Sequence, residues 1–208
     1  RRLLVIFLAC LTTSVTAQFG WERQYDIPVD DGSVSLSNAW TGGMNYCQFS
    51  NIDFNFDGKN DLFVFDRSCN FWTCFIQNGS VAAPDFVYAP QYEALFPGDL
   101  KDWVLLVDYN CDGLPDIFTS TIGGCRVFLN TGDSGSGHSF ELASPILPTS
   151  VEGSPGYMYF NSVDIPAIVD VDGDSDIDVL NFGVLATAIE YHRNMSMELY
   201  GTCDSLVF

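Results

Sequence analysis

Asp53-Phe54-Asn55-Phe56-Asp57-Gly58-Lys59-Asn60-Asp61 has two further copies in the chain: Asp108-Tyr109-Asn110-Cys111-Asp112-Gly113-Leu114-Pro115-Asp116 and Asp170-Val171-Asp172-Gly173-Asp174-Ser175-Asp176-Ile177-Asp178. Each copy carries an oxygen-bearing side chain at positions 1, 3, 5 and 9. Alternate residues of a tightly turning loop converge on one point, and calcium gathers roughly six to eight oxygens around such a point. The spacing therefore nominates one calcium per loop, about three ions in all. The ligands would be Asp53, Asn55, Asp57 and Asp61; Asp108, Asn110, Asp112 and Asp116; and Asp170, Asp172, Asp174 and Asp178. Position 7 would add a backbone carbonyl from Lys59, Leu114 or Asp176. Three or four carboxylates held this closely repel one another unless a cation offsets them.

An EF-hand shares the first half of this pattern but closes it with a bidentate Glu at position 12, between two helices. Position 12 here is Val64, Thr119 or Asn181. The flanks of the first loop, Cys47–Ile52 and Leu62–Asp66, are short runs rich in β-branched and aromatic residues, so each loop is expected to be the turn of a β-hairpin. The pattern continues beyond the loops. Strands are predicted at Leu62–Asp66, Ile117–Thr121 and Val179–Phe182, then at Phe71–Asn78, Cys125–Asn130 and Ala188–Asn194, each of the second set ending in Asn. Further strands are expected before the later loops, at Val104–Asp108 and Ala167–Asp170, and in the connections, at Phe86–Ala89 and Ser139–Ala143. The rest of each connection, punctuated by Pro and Gly, reads as loop. The loops start 55 and 62 residues apart, a period typical of propeller blades of about four short strands.

Arg1-Arg2, the apolar run Leu3–Leu11 and the small residues ending at Ala17 predict a secretory signal over residues 1–17, too short to span a bilayer. No later stretch is long and apolar enough to cross a membrane, so the mature chain is expected to be exported without a transmembrane segment. The formal net charge is −19; loss of the two signal arginines makes it −21. A phosphate backbone would be repelled, which excludes nucleic acid as a partner.

Cys47, Cys69, Cys74, Cys111, Cys125 and Cys203 remain in the mature chain. Export and an even count favour disulfides over zinc, for which no C-x2-C pair is present. The first pairing to test is Cys69–Cys74, which brackets a tight segment. Enzyme signals are weak. Gly132-Asp133-Ser134-Gly135-Ser136-Gly137 echoes a serine-protease nucleophile segment, yet both His138 and His192 follow the serine, and the segment reads better as a flexible connection. Asn78-Gly79-Ser80 and Asn194-Met195-Ser196 match the N-glycosylation pattern.

The three loops with their flanking strands resemble the FG-GAP/VCBS repeat family, which builds calcium-bearing β-propellers such as the integrin α-subunit head. The resemblance covers roughly residues 40–200. Tyr88-Ala89-Pro90-Gln91-Tyr92, Asp164–Ile168 and Glu190–Asn194 further resemble secreted VCBS-repeat proteins of Bacteroidetes-type bacteria. It implies an all-β fold, a partial β-propeller of about three four-stranded antiparallel blades around residues 40–100, 101–160 and 161–208, within a propeller region spanning 18–208. Three blades cannot close a ring, so the chain is expected to be the N-terminal part of a propeller of about seven blades, with a further strand beginning after Asn194. The one departure from the family is Ser175 at position 6, where Gly is usual and a left-handed backbone would cost about 1 kcal/mol. The implied function is a secreted or cell-surface module that binds protein or glycan through its loops. The alternative is the propeller of a carbohydrate-active enzyme, such as a polysaccharide lyase, with its catalytic residues elsewhere.

Overall fold

The computed structural model describes residues 23–208 apart from 81, 82, 84 and 152; the predicted signal at residues 1–17 lies outside the described residues. The chain divides into two units, Arg1–Leu36 and Ser37–Phe208. The described part of the first is a small turn in which the Asp31 carboxylate accepts the backbone N–H groups of Ser33 and Val34, each at 2.9 Å.

The second unit is built from antiparallel sheets. Strands β1 (Cys47–Ile52), β2 (Asp61–Asp66), β3 (Phe71–Gln77) and β4 (Phe86–Tyr88) form the first in that order. A 3-10 helix over Pro90–Leu95 follows, opened by a proline that needs no N–H there. The second sheet repeats the arrangement with β5 (Val104–Val107), β6 (Asp116–Thr121), β7 (Gly124–Asn130) and β8 (Phe140–Ser144). A two-stranded ribbon, β9 (Pro148–Val151) and β10 (Ser154–Tyr157), precedes the third sheet of β11 (Ala167–Val169), β12 (Asp178–Phe182) and β13 (Ile189–His192). The three acidic loops are hairpin turns, with register pairs Ile52↔Asp61, Val107↔Asp116 and Val169↔Asp178 closing them.

Residue alternation on the strands explains how the sheets stack. Successive side chains of a strand point to opposite faces. Ile117 and Phe128 of the second sheet therefore join Phe63, Phe65 and Ile52 of the first, while their neighbours Phe118 and Val127 join Ile168 and Val179 of the third. Trp103, fully buried, anchors this second core with Leu147, Met158 and Phe160 from the connection. Because both faces of β6 are covered, all of its residues but the last are buried. The inner strands β1 and β5 lie side by side: Val104 N–H donates to Gln48 Oε1 (3.1 Å) and Leu106 N–H to Ser50 Oγ (3.2 Å). At one end Arg67 ties three sheets together, donating to the carbonyls of Asp102, Ser162 and Val163. This is a set of stacked antiparallel blades, the partial propeller expected.

Three expectations are corrected. The run after Asn194 is not a strand. It curls into the one-turn helix α1 (Ser196–Tyr200), and the chain then folds back so that Val207 N–H reaches Asn194 Oδ1 (2.9 Å) and Met195 N–H reaches the Val207 carbonyl (2.8 Å). The third sheet accordingly has three strands. The connection after β8 contains the β9–β10 ribbon, whose Pro148, Pro155 and Gly156 resemble loop punctuation but are tolerated in a ribbon with free edges. Cys69–Cys74 does not form. Cys69 is exposed in the turn before β3, whereas Cys74 is buried in the first core. Extended chain from Phe71 to Cys74 alone spans roughly 10 Å, beyond the reach of about 7 Å that a disulfide allows between Cα atoms. Among the described residues the disulfide is Cys111–Cys203, with Cα atoms 6.1 Å apart.

Candidate metal centre

Each loop reverses direction through two residues with left-handed backbone, at positions 4 and 6. In the first loop these are Phe56 (φ 57°) and Gly58 (φ 80°), in the second Cys111 (φ 60°) and Gly113 (φ 88°), in the third Gly173 (φ 83°) and Ser175 (φ 86°). Ser175 thus has the expected left-handed backbone, but it is not an added burden. The third loop has moved its glycine to position 4, so each loop holds one glycine and one strained residue. A Cβ added at Gly113 would meet nothing within 4 Å. Gly113→Ala should therefore cost about 1 kcal/mol from backbone strain alone, read as a lowered urea midpoint with an unchanged slope; a neutral substitution would contradict the strain argument.

This winding turns side-chain oxygens inward onto the loop's own N–H groups. Position 1 accepts from position 6: Asp53 Oδ2 from Gly58 (2.7 Å), Asp108 Oδ2 from Gly113 (2.9 Å), Asp170 Oδ2 from Ser175 (3.0 Å). Position 5 accepts from position 7: Asp57 Oδ1 from Lys59 (2.9 Å), Asp112 Oδ1 from Leu114 (2.8 Å), Asp174 Oδ1 from Asp176 (3.1 Å). In loops one and two the Asn at position 3 donates its amide to the position 5 carboxylate. The Lys59 N–H and ammonium hold Asp57 below the usual carboxylate range, and the Asp176 N–H does the same for Asp174.

Position 9 behaves differently. Asp61, Asp116 and Asp178 open the central strands β2, β6 and β12 and are fully buried. One oxygen of each accepts the N–H of position 2 in its own loop, from Phe54 (2.8 Å), Tyr109 (3.0 Å) or Val171 (3.0 Å). The other accepts an N–H at or just beyond the end of the third strand, from Gln77, Asn130 or Asn194, each at 2.8 Å. The position 9 carboxylate is thus a strut between the loop and its sheet, and in the third loop Asp178 Oδ2 accepts from the Tyr191 hydroxyl as well (3.1 Å). Burial pushes Asp116 up to about 7, with Asp112 and Asp108 adding to the rise and the two N–H groups opposing it; burial raises Asp61 as well. In the first sheet the strut ends on Gln77, one residue before the Asn78 read from the repeat. Asn194 is fully buried with both amide atoms bonded, to Ser205 and Val207, so its glycosylation pattern is closed to modification.

A cation fits what remains. Asp108 Oδ1, Asp174 Oδ2 and Asp176 Oδ1 are buried carboxylate oxygens without a hydrogen-bond partner, and such atoms are costly to bury bare. In the third loop Asp170, Asp172 and Asp174 present oxygens within 4.8 Å of one another. The donors are all oxygen, the set a hard cation takes. At position 7 the side chain of Lys59 turns back to Asp57 (3.3 Å).

Sequence reasoning missed His138. It is buried in the turn between β7 and β8, stacked on Phe56 with ring centroids 4.6 Å apart. Its Nε2 donates to the Asp53 carbonyl (2.8 Å), and its Nδ1 accepts from the Asn130 amide (2.9 Å). The second sheet thereby braces the first loop. The Asp133 carboxylate, accepting from Gly135 and Ser136, orders the Gly/Ser turn that carries this histidine. At the next junction the Cys111 sulfur lies 3.6 Å from the Ser175 carbonyl oxygen, so loops two and three adjoin.

No helix among the described residues is long and apolar enough to cross a membrane. No curated protein and no solved structure matches the chain. The FG-GAP-like repeat profile matches twice, over residues 53–119 and 108–180. Each match opens on the first Asp of a loop and runs into the strand after the next loop. Together they cover more than half of the sequence, and the chain belongs to the FG-GAP-like repeat family.

Proposed function

We propose that the protein is a calcium-stabilised β-propeller module that binds protein or glycan outside the cell. FG-GAP repeats are typical of extracellular binding proteins, and the stacked blades present their connecting loops at the sheet ends, where recognition residues sit on a rigid support. The observation that carries the calcium reading is the threefold recurrence of one loop geometry, whose inward oxygens in the second and third loops include buried carboxylate atoms without a hydrogen-bond partner. The ion's role is structural: it offsets charge that the hairpin turns concentrate. Sites of extracellular modules commonly have dissociation constants of roughly 0.1–1 mM. At tenfold excess each would stabilise the fold by about 1.4 kcal/mol.

Thermal unfolding with chelator, calcium or magnesium tests this. Calcium is expected to raise the midpoint by several degrees and magnesium by much less, since magnesium demands a smaller octahedral shell. Asp57→Ala should remove only the first loop's share. An unchanged midpoint in millimolar calcium would sink the metal reading. A glycan and protein array probed in calcium and in chelator tests the binding role; retention that is equal in both would separate recognition from the metal.

A further inference from the structure

The third loop carries more acid than one cation offsets. With all groups ionised, the first loop has three carboxylates and Lys59, and the second has three carboxylates. At the third, Asp170, Asp172, Asp174, Asp176 and Asp178 are joined by Glu198 of α1, against the single Arg193. One divalent ion per loop would leave net charges of 0, −1 and −3.

The surplus is gathered at one place. Asp174, Asp176 and Glu198 offer oxygens all within 4.8 Å of one another, a second group that shares only Asp174 with the group of Asp170, Asp172 and Asp174. Asp176 is fully buried. Its Oδ2 accepts the Met197 N–H (2.9 Å), which pins α1 over the loop and brings Glu198 in. Its Oδ1 has no hydrogen-bond partner, and neither has Asp174 Oδ2. Arg193 pairs with Asp172 (2.5 Å) and with Glu198, and approaches Asp174 Oδ2 only to 3.5 Å. No ion pair of Arg193 involves Asp176.

We propose that the third loop holds two calcium ions, the second bound between Asp174, Asp176 and Glu198, with Asp174 bridging both. This rests on the reading of the loops as calcium sites and extends it to a position 7 side chain and a residue outside the repeat. A second divalent ion brings the third loop to −1, the same residue of charge as the second loop. A buried carboxylate oxygen without a hydrogen is a strong ligand for a hard cation, and Glu198 supplies the exposed side through which the ion enters.

The test counts bound calcium per chain by native mass spectrometry at saturating calcium, with the disulfide intact. Glu198→Gln and Asp170→Asn are each expected to lose one ion, and the double variant two. Asp176→Asn, whose amide oxygen can still accept from Met197, should also lose one. A Glu198→Gln chain that binds as many ions as the unsubstituted protein overturns the proposal, as does a double variant that loses only one. Asp57→Ala provides the separation: if it loses an ion and Glu198→Gln does not, the loop reading stands and the second site falls. If the unsubstituted chain binds none, both fall.

Discussion

Asp116→Ala is expected to destabilise the fold by about 3 kcal/mol, and to do so whether or not calcium is present. The substitution strips the only acceptor from the Tyr109 and Asn130 N–H groups, which lie beside the fully buried start of β6. Leaving a buried donor unsatisfied costs about 1–3 kcal/mol each, and relief from burying a carboxylate returns part of the sum. Asp116→Asn should lose less, since an amide keeps one acceptor oxygen. The measurement is urea unfolding of both variants in calcium and in chelator. If chelator erases the difference from the unsubstituted protein, Asp116 acts only through a metal and the strut is not a structural element. Asp57→Ala is the contrast, because its cost should shrink with chelator to that of the exposed contacts with Lys59 and Asn55.

Cys203→Ala is expected to cost about 4 kcal/mol. The Cys111–Cys203 bond spans 92 residues, and in the chain-entropy account a closed loop of that length restricts the unfolded ensemble by about 4–5 kcal/mol. Reductant should reproduce the loss in the unsubstituted chain and add nothing to Cys203→Ala. Non-reduced peptide mapping should recover Cys111 linked to Cys203, with Cys47, Cys69, Cys74 and Cys125 as thiols. A different pairing, or equal stability with and without reductant, would contradict the assignment. Cys111 also holds position 4 of the second loop in its left-handed turn, so the same variant should weaken calcium binding at that loop more than at the first.

The hairpins were legible because their causes are local. Alternating β-branched and aromatic residues on either side of a nine-residue acidic turn place β1, β2, β6 and β12 to within about a residue, and the same spacing names the loop oxygens. What escaped depends on chain that is distant in sequence. The position 9 aspartates read as ligands; that they strut the sheet follows only from the register that sets an N–H 14 or 16 residues later against them. His138 stands alone in a Gly/Ser turn, and only the stacking of the second sheet on the first carries it to Asp53. Helix α1 is five residues long, too short to show a period, and is held by Asp176 from the third loop. Six cysteines allow fifteen pairings, and nothing local favours Cys111 with Cys203.

The same bond sets how the molecule answers to force. Tension applied along the chain passes directly between the two sulfurs, so everything from Asp112 to Thr202 is bypassed. At about 3.4 Å per residue, roughly 300 Å of contour is withheld from extension by a bridge of 92 residues. That hidden length includes β6, β7 and β8 and the whole third sheet. Under load the chain outside the bridge pays out, the first sheet, its loop and β5 among it, and the third loop, wholly inside the bridge, keeps its shape while the first gives way.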